Sequence, residues 1–244
     1  MLKTKKYNNE AASYPYVSAI IVAAGNSTRM GGVNKQFLLI DGVPVLIRTL
    51  KAFENSELIK EIIISAREED IPQMYAMLKD YSVKKVSNIV KGGCTRQESV
   101  FNAVRCCMTE SDYIAIHDGA RPLVSTETIE ETIFAAFNFG AAAPGIPVKD
   151  TIKVVDSGGV VVSTPVRDSL RAIQTPQVFN KEMYLNAMQG VPNSELFTDD
   201  CGLIEAFGKL VKIVDGDNTN IKITTPEDLI IAEAIISKGV KDGF

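Results

Sequence analysis

The sequence predicts a single α/β domain of three layers, with helices on both faces of a mostly parallel central sheet and one projecting β-hairpin arm. Three observations carry that prediction. Apolar runs of strand length alternate with stretches of helical period along most of the chain. Two helix starts carry their own cap chemistry. One valine-rich segment interrupts the alternation with the signature of a hairpin. A chain of 244 residues, 45% of them apolar, can bury a substantial core, and α/β folds of this length commonly form one domain. The expected organisation is a flexible N-terminal tail over 1–15, a domain over 16–240, and a hairpin arm at about 149–171 within it.

In chain order, a strand over 17–22 is followed by a helix over 45–53, a strand over 62–65 and a helix over 74–81. The pattern continues with a strand at 86–90, a helix at about 96–108, a strand at 113–116 and a helix at about 127–139. Thr95 followed by Glu98 reads as a capping box at the start of one helix. Thr225 followed by Pro226 places a cap before a proline at the first helical position, opening a closing helix over 226–237. Between them, TIKVV and VVVST flank Asp156, Ser157, Gly158 and Gly159, so two strands join through a tight turn. An extended hairpin with so many valines has apolar edges to cover, which leads to the expectation of a homodimer in which arms from two chains pack together.

Composition excludes several classes of function. A formal charge of −4 leaves no broad basic surface for nucleic acid or an anionic membrane, so any anion must meet basic groups gathered locally. The N-terminal stretch MLKTKKYNNEAASYP lacks the apolar run of a signal peptide, and the longest apolar stretch near it is far short of the ~20 residues that cross a bilayer. Cys94, Cys106, Cys107 and Cys201 show no CxxC spacing, and with His117 the single histidine there are few soft ligands for zinc. The expectation is a cytoplasmic protein with reduced cysteines in packing roles.

The strand at 17–22 runs into Ala23, Ala24 and Gly25, then Arg29, Gly31, Gly32 and Lys35. Small residues let a backbone approach phosphates so that its N–H groups cradle the anion, while Arg29 and Lys35 supply charge. Such a loop lies where open α/β sheets bind ligands, at the carboxyl ends of strands. It is not GxxxxGK[ST], because no lysine follows the spaced glycine, and not GxGxxG, because Gly25 has no glycine two residues on. On its own the segment is equally well an ordinary strand-to-helix turn.

A series of motifs decides between these readings. AAGNSTRMGGVNKQF over 23–37 is similar to the AAGxGxRMxxxxPKQ signature of sugar-phosphate nucleotidyltransferases, and specifically resembles the 2-C-methyl-D-erythritol 4-phosphate cytidylyltransferase family. The resemblance continues in family order through GGCTRQESV (92–100), HDGARP (117–122), VKDTIK (148–153), RAIQTPQVF (171–179), FTDD (197–200) and NIKITTPEDL (220–229). It spans about 17–237, and several separated blocks in order are far more specific than any one of them. Two departures are visible: Asn34 stands where the family usually has proline, and Cys94 stands at a position associated with a polar or acidic residue, so Cys94 is given no role.

The resemblance implies a Rossmann-like nucleotidyltransferase fold and the transfer of CMP from CTP to a small phosphorylated polyol, with Mg²⁺ as the divalent cation. It implies that Arg29 and Lys35 contact the triphosphate as catalytic groups, that Ala23, Ala24 and Gly25 approach the nucleotide, and that Gly93, Arg96 and Ser99 line the base and ribose pocket. Asp118 orients the ribose or completes a magnesium shell held mainly by the CTP phosphates. Gly119 and Arg121 face the nucleotide and the acceptor, and Thr151, Arg167, Thr175, Thr198 and Lys222 match the acceptor pocket. Thr151 and Arg167 lie on or beside the hairpin, so they are expected to reach a neighbouring subunit's site. His117, lacking a visible base or metal partner, reads as an orienting or packing residue.

Competing classes leave marks of their own. Asp215, Gly216 and Asp217 have the DxD spacing with which nucleotide-sugar glycosyltransferases hold a metal, but the run comes late, in what reads as a polar turn after a strand. A nucleotide sensor has no need of a second phosphate pocket. Ribitol 5-phosphate cytidylyltransferase shares the loop, the KQF triplet, an HDxxRP block and the QTPQ block, whereas AAG, HDGARP and RAIQTPQVF favour the methylerythritol enzyme.

Overall fold

The computed structural model describes residues 14–25, 34–192 and 197–239. Of the tail expected over 1–15, residues 1–13 lie outside them, while Tyr14 meets the Phe134 ring edge-on and the Tyr16 N–H donates to Asp112 Oδ2. Strands β1 (Val17–Val22), β4 (Ile59–Ala66), β5 (Val86–Lys91) and β6 (Tyr113–Asp118) form the parallel part of the sheet, with β1 between β4 and β6 and β5 outside β4. On the other side of β6 come β11 (Gln177–Asn180), antiparallel to it, and then β7 (Ala141–Pro147). The edge of β7 that meets β11 also pairs with β10 (Arg171–Ile173), while its opposite edge takes β12 (Lys212–Asp215) in parallel.

Helices cover both faces because side chains in the central strands alternate. Val17, Ala19, Ile21, Ile62, Ile64 and Ala115 point into one core, beneath α1 (Val45–Asn55), α2 (Ile71–Asp80) and α4 (Thr126–Phe139). Ile20, Ile63, Ile114 and Ile116 point into the other, with α3 (Arg96–Val104), α5 (Lys181–Gly190) and α6 (Asp200–Ala206). This is the three-layer architecture expected from the alternation of periods.

A third, smaller core holds the site in place. Ile40 and Val45, beside the short ribbon β2 (Leu39–Ile40) and β3 (Val43–Pro44), pack with Ala120, Leu123, Ile223 and Ala232 of α7 (Pro226–Ser237). The Ile223 N–H donates to the Ala120 carbonyl at 2.8 Å, so the chain before α7 lies against the loop after β6. The start of α7 is fixed by a capping box between Thr225 and Asp228, with Pro226 in the first turn.

The arm is present as read: β8 (Val154–Val155) pairs antiparallel with β9 (Val161–Ser163). Its turn is closed by Asp156, whose Oδ1 accepts from the Gly158 and Val160 N–H groups, and by Gly159 at φ +79°. Two expectations change. The helix expected over 96–108 ends at Val104, because the buried carboxylate of Glu61 takes the Met108 N–H at 2.7 Å and draws the chain away. Cys94 and Cys106 are exposed, so only Cys201 and, in part, Cys107 serve as packing residues; all four are free thiols. Among the described residues no helix is long and apolar enough to cross a membrane.

Asp228 Oδ2 accepts from the Thr224 N–H, the Thr224 hydroxyl and the Thr225 N–H at 2.7, 2.7 and 2.8 Å. Burial raises the Asp228 carboxyl, but these hydrogen bonds outweigh it and hold the group below its usual value. Asp228→Ala is expected to cost about 1 kcal/mol in urea unfolding at neutral pH. A depressed folded-state value means that the contribution is present above about pH 4 and is lost as pH falls further. The difference between wild type and variant should therefore close in acid; a constant difference would assign the effect to something other than the carboxylate.

Candidate active site

The carboxyl ends of β1, β5 and β6 open onto one cleft of about 340 Å³. Its walls are Ala24 and Gly25 after β1, the segment 93–96 after β5 with Ser99 of α3, Asp118 and Ala120 at β6, Lys35 and Gln36, and Lys222. Backbone hydrogen bonds carry the sheet pairing past the strand ends and bind these loops to one another. Ala23 N–H donates to Ser65 O at 2.7 Å, Gly92 N–H to Ala66 O at 2.8 Å, and Gly119 N–H to Val22 O at 2.9 Å.

Gly92 and Gly93 are required by close approach. A Cβ on Gly92 would sit 2.4 Å from the Ala24 Cβ, so the β1 and β5 loops touch only because neither carries a larger side chain there. A Cβ on Gly93 would run into the Glu98 side chain. Thr95 caps α3 by accepting from the Glu98 N–H, whereas the Glu98 carboxylate reaches past it to the Cys94 N–H at 2.7 Å. Ser99, buried, accepts from the Gly93 N–H and donates to the Thr95 carbonyl, bracing the loop from within.

Charge in the cleft is organised around Asp118. Its carboxylate meets Lys222 Nζ at 2.8 Å, Arg121 Nε at 3.5 Å and Arg96 Nε at 3.8 Å. Burial by itself raises this carboxyl, but Lys222, Arg96 and Arg121 hold it well below the usual carboxylate range, so it is ionised at any physiological pH. Arg96 also gives Nη1 to Asp200 at 2.6 Å, and Asp200 is buried, receiving the Tyr184 hydroxyl at 2.7 Å and presenting its own N–H to Gln177 Oε1. Burial lowers the Arg96 guanidinium, yet Asp200 and Asp118 more than reverse it and the group is raised. Arg121 donates to the Asn220 carbonyl at 2.7 Å, which ties the loop after β6 to the chain that carries Lys222. Lys35 begins a 3₁₀ turn, Lys35–Phe37, and its Nζ donates to the Ile223 carbonyl at 3.0 Å.

Among the described lining residues, Lys35, Arg96 and Lys222 outnumber the single carboxylate Asp118. A chain of net charge −4 thus concentrates positive charge where an anion would sit. Asp118 is the carboxylate in the lining, and no cluster of three or more histidine, cysteine or acidic residues able to cage a metal occurs among the described residues. That donor set fits Mg²⁺ bound through one carboxylate together with ligand phosphates, the arrangement this ion commonly takes.

Of the residues expected from sequence, Ala24, Gly25, Lys35, Gly93, Arg96, Ser99, Asp118 and Lys222 line this cleft, with Ala23, Gly119 and Arg121 immediately behind it. Arg29 lies outside the described residues. Thr151, Arg167 and Thr198 are exposed and are not in the lining; Arg167 donates to the Lys149 carbonyl within the arm. Thr175 is buried and is not in the lining; its hydroxyl accepts from the Asp118 backbone N–H and reaches His117 Nδ1. Asp217 accepts from the Thr219 N–H and a Cβ on Gly216 would meet the Gly145 backbone, so the DxD run is a packed turn outside the lining. Sequence reasoning passed over Gln36 and Asp200. Both stand inside quoted motifs, KQF and FTDD, but nothing in a motif says that Gln36 is buried with Oε1 unpartnered or that Asp200 braces Arg96.

Known proteins resemble this chain over most of its length. Residues 17–238 match the family model described as 2-C-methyl-D-erythritol 4-phosphate cytidylyltransferase. The chain is 49% identical over 225 residues to the protein of that name from Caldanaerobacter subterraneus subsp. tengcongensis, covering 91% of this chain and 99% of the relative. It is 42% identical to the one from Alkaliphilus oremlandii, covering 90% and 94%. Among solved structures, 4-diphosphocytidyl-2C-methyl-D-erythritol synthase from Anaerococcus prevotii superposes with a TM-score of 0.81 at 34% identity, covering 91% of this chain and 96% of that one. The 2-C-methyl-D-erythritol 4-phosphate cytidylyltransferase of Thermus thermophilus gives 0.73 at 31%, covering 91% and 99%.

Immediately before Asp118, His117 is buried against Phe53, with ring centroids 4.9 Å apart. The Thr175 hydroxyl accepts from the Asp118 N–H at 3.2 Å, so its own proton goes to His117 Nδ1 at 2.9 Å, and Nε2–H donates to the Arg121 carbonyl at 3.2 Å. Burial pushes this imidazole down to about 3, so it is neutral and cannot exchange protons with a substrate near neutrality. As the chain's single histidine it gives one set of ring resonances. These should show the Nε2–H tautomer and no titration from about pH 8 to about pH 5 by ¹⁵N NMR. A lowered value also stabilises the fold fully only above about pH 6.5, with loss as pH falls toward the folded value, a slope that His117→Gln should flatten. A midpoint near about 6.5 would contradict the buried neutral assignment.

Proposed function

The chain belongs to the 2-C-methyl-D-erythritol 4-phosphate cytidylyltransferase family, and from that membership we propose how its cleft carries out CMP transfer from CTP to 2-C-methyl-D-erythritol 4-phosphate. The observation that carries the reading is the cluster of Lys35, Arg96 and Lys222 around one ionised carboxylate at the carboxyl ends of β1, β5 and β6. CTP lies with its base and ribose against Gly93, Arg96 and Ser99 and with its phosphates toward Gly25 and Lys35, and the family resemblance adds Arg29 as a second phosphate ligand. The acceptor phosphate approaches from the side of Lys222 and Arg121.

In the reaction an oxygen of the acceptor phosphate attacks the α-phosphorus of CTP in line. A new P–O bond forms, the bond between the α-phosphorus and its bridging oxygen breaks, and pyrophosphate leaves with the electron pair. The products are 4-diphosphocytidyl-2-C-methyl-D-erythritol and pyrophosphate. A phosphate monoester is already largely dianionic at neutral pH, its second pKa being about 6, so the nucleophile needs no general base. That requirement agrees with a chain whose histidine is buried and neutral. Lys35 and Arg29 stabilise charge gathering on the α-phosphate, and Asp118 holds Lys222 and orients the ribose. Asp118 and the CTP phosphates would hold a Mg²⁺ ion, which would supply further neutralisation of the phosphate charge.

We also read the arm as a dimer contact. Ile152, Val154, Val155, Val160, Val161, Val162 and Val166 are all exposed on one chain, the last by 73%. Pairing two arms would cover them and would carry Thr151 and Arg167 toward the partner's acceptor pocket. Cytoplasmic placement agrees with four free cysteines.

A pyrophosphate-release panel tests the reaction: CTP with 2-C-methyl-D-erythritol 4-phosphate should turn over, and ATP, GTP, UTP or ribitol 5-phosphate should be poor replacements. Chelation of divalent cations should abolish turnover. Lys35→Ala should lower kcat by about 10²- to 10³-fold with the fold intact by circular dichroism. Near-normal turnover of that variant would remove Lys35 from the reaction. Sedimentation should give a concentration-dependent dimer that Val161→Asp weakens; a monomer at every concentration would discard the arm contact.

A further inference from the structure

We infer that Asn34 is a positioning residue for Lys35, its carboxamide locking the end of the nucleotide loop to the loop that follows β4. This rests on the reading of Lys35 as the group that acts on the reacting phosphate. Asn34 is buried, and both ends of its amide are engaged. Oδ1 accepts from the Gln36 N–H at 3.0 Å and so caps the turn Lys35–Phe37, whose first residue is the lysine itself. Nδ2 donates to Asp70 Oδ2 at 2.6 Å.

Asp70 is an anchored acceptor. Its two oxygens receive Arg67 Nε at 2.7 Å and Nη2 at 3.0 Å, and Arg67 immediately follows the last residue of β4. The tether therefore fixes Asn34 to the loop that follows β4, the strand beside β1 in the sheet. The far end of Lys35 is fixed separately, by its Nζ donating to the Ile223 carbonyl. Backbone and ammonium are thus both held, and the carboxamide secures the backbone end.

The chemistry of position 34 is narrow. The side chain must accept from one N–H and donate to one carboxylate at the same reach, which asparagine does and aspartate does not. An aspartate would keep the cap but bring a second carboxylate against Asp70. The backbone at Asn34 has φ −70°, within the range that a proline ring imposes, so proline can hold the backbone without either side-chain bond.

The test is steady-state kinetics on the full chain with CTP, Mg²⁺ and 2-C-methyl-D-erythritol 4-phosphate. Asn34→Asp, nearly isosteric, and Asn34→Ala should each lower kcat on the order of tenfold to a hundredfold, the scale of loss for a misplaced catalytic group. The acceptor's KM should change little, and Asn34→Pro should recover most of the kcat. In the Lys35→Ala background, Asn34→Ala should add no further loss, because it acts through the lysine. If Asn34→Ala does not fold, Asn34→Asp decides. A kcat within about twofold of wild type for Asn34→Asp, or a full multiplicative loss on top of Lys35→Ala, overturns the inference. Near-normal turnover of Lys35→Ala alone would instead refute the reading on which it rests.

Discussion

The carboxylate of Asp118 is the point on which the site depends. It sits at the end of a central parallel strand, buried, and an isolated charge there would carry a desolvation penalty of several kcal/mol. Lys222, Arg121 and Arg96 offset that penalty, and each arrives from a different part of the chain: the approach to α7, the loop after β6 and the first turn of α3. One ion-pair cluster therefore decides where three segments stop. The cations are left with a net excess that a polyphosphate can neutralise, which links the stability of the cleft to its ligand.

A second layer of contacts makes that cluster rigid. The Thr175 hydroxyl accepts from the Asp118 N–H and donates a hydrogen bond to His117 Nδ1, His117 Nε2–H donates to the Arg121 carbonyl, and the arginine side chain donates to the Asn220 carbonyl. Asp200, braced by Tyr184 and Gln177, fixes Arg96 from the opposite side. Burying polar groups is tolerable only when they are paired, and here the pairing also sets geometry. A transfer reaction whose nucleophile is already ionised needs such preorganised charge more than proton transfer, and the single histidine is used accordingly for position.

Much of the site was legible in the chain. Lys35, Arg96, Asp118 and Lys222 stand in blocks whose order and spacing resemble one family, and the structure brings all four to one cleft. The roles of Thr175, Asp200 and Asn34 were not legible, since each depends on a partner distant in sequence: His117, Arg96 and Asp70 in turn. Spacing along a chain cannot report such contacts. Thr175, matched to the acceptor pocket by its motif, also has a hydroxyl that accepts from the Asp118 backbone N–H 57 residues away.

For the fold, the sequence by itself determined the elements whose signal is local: the alternating cores of β1, β4 and β6, the cap at Thr225, and the turn at Asp156 to Gly159. It did not show β7, whose AAAPGIP is poor in β-branched residues, nor the split of one strand line into β10 and β11. Those exist because β7 is sandwiched between β12 and the β10–β11 pair, where burial and ladder hydrogen bonds override weak intrinsic preference. Tertiary structure likewise ended α3 at Val104, through a buried glutamate on a neighbouring strand. Local chemistry wrote the periods and the turns, and long-range burial decided which polar groups became the site and which became its supports.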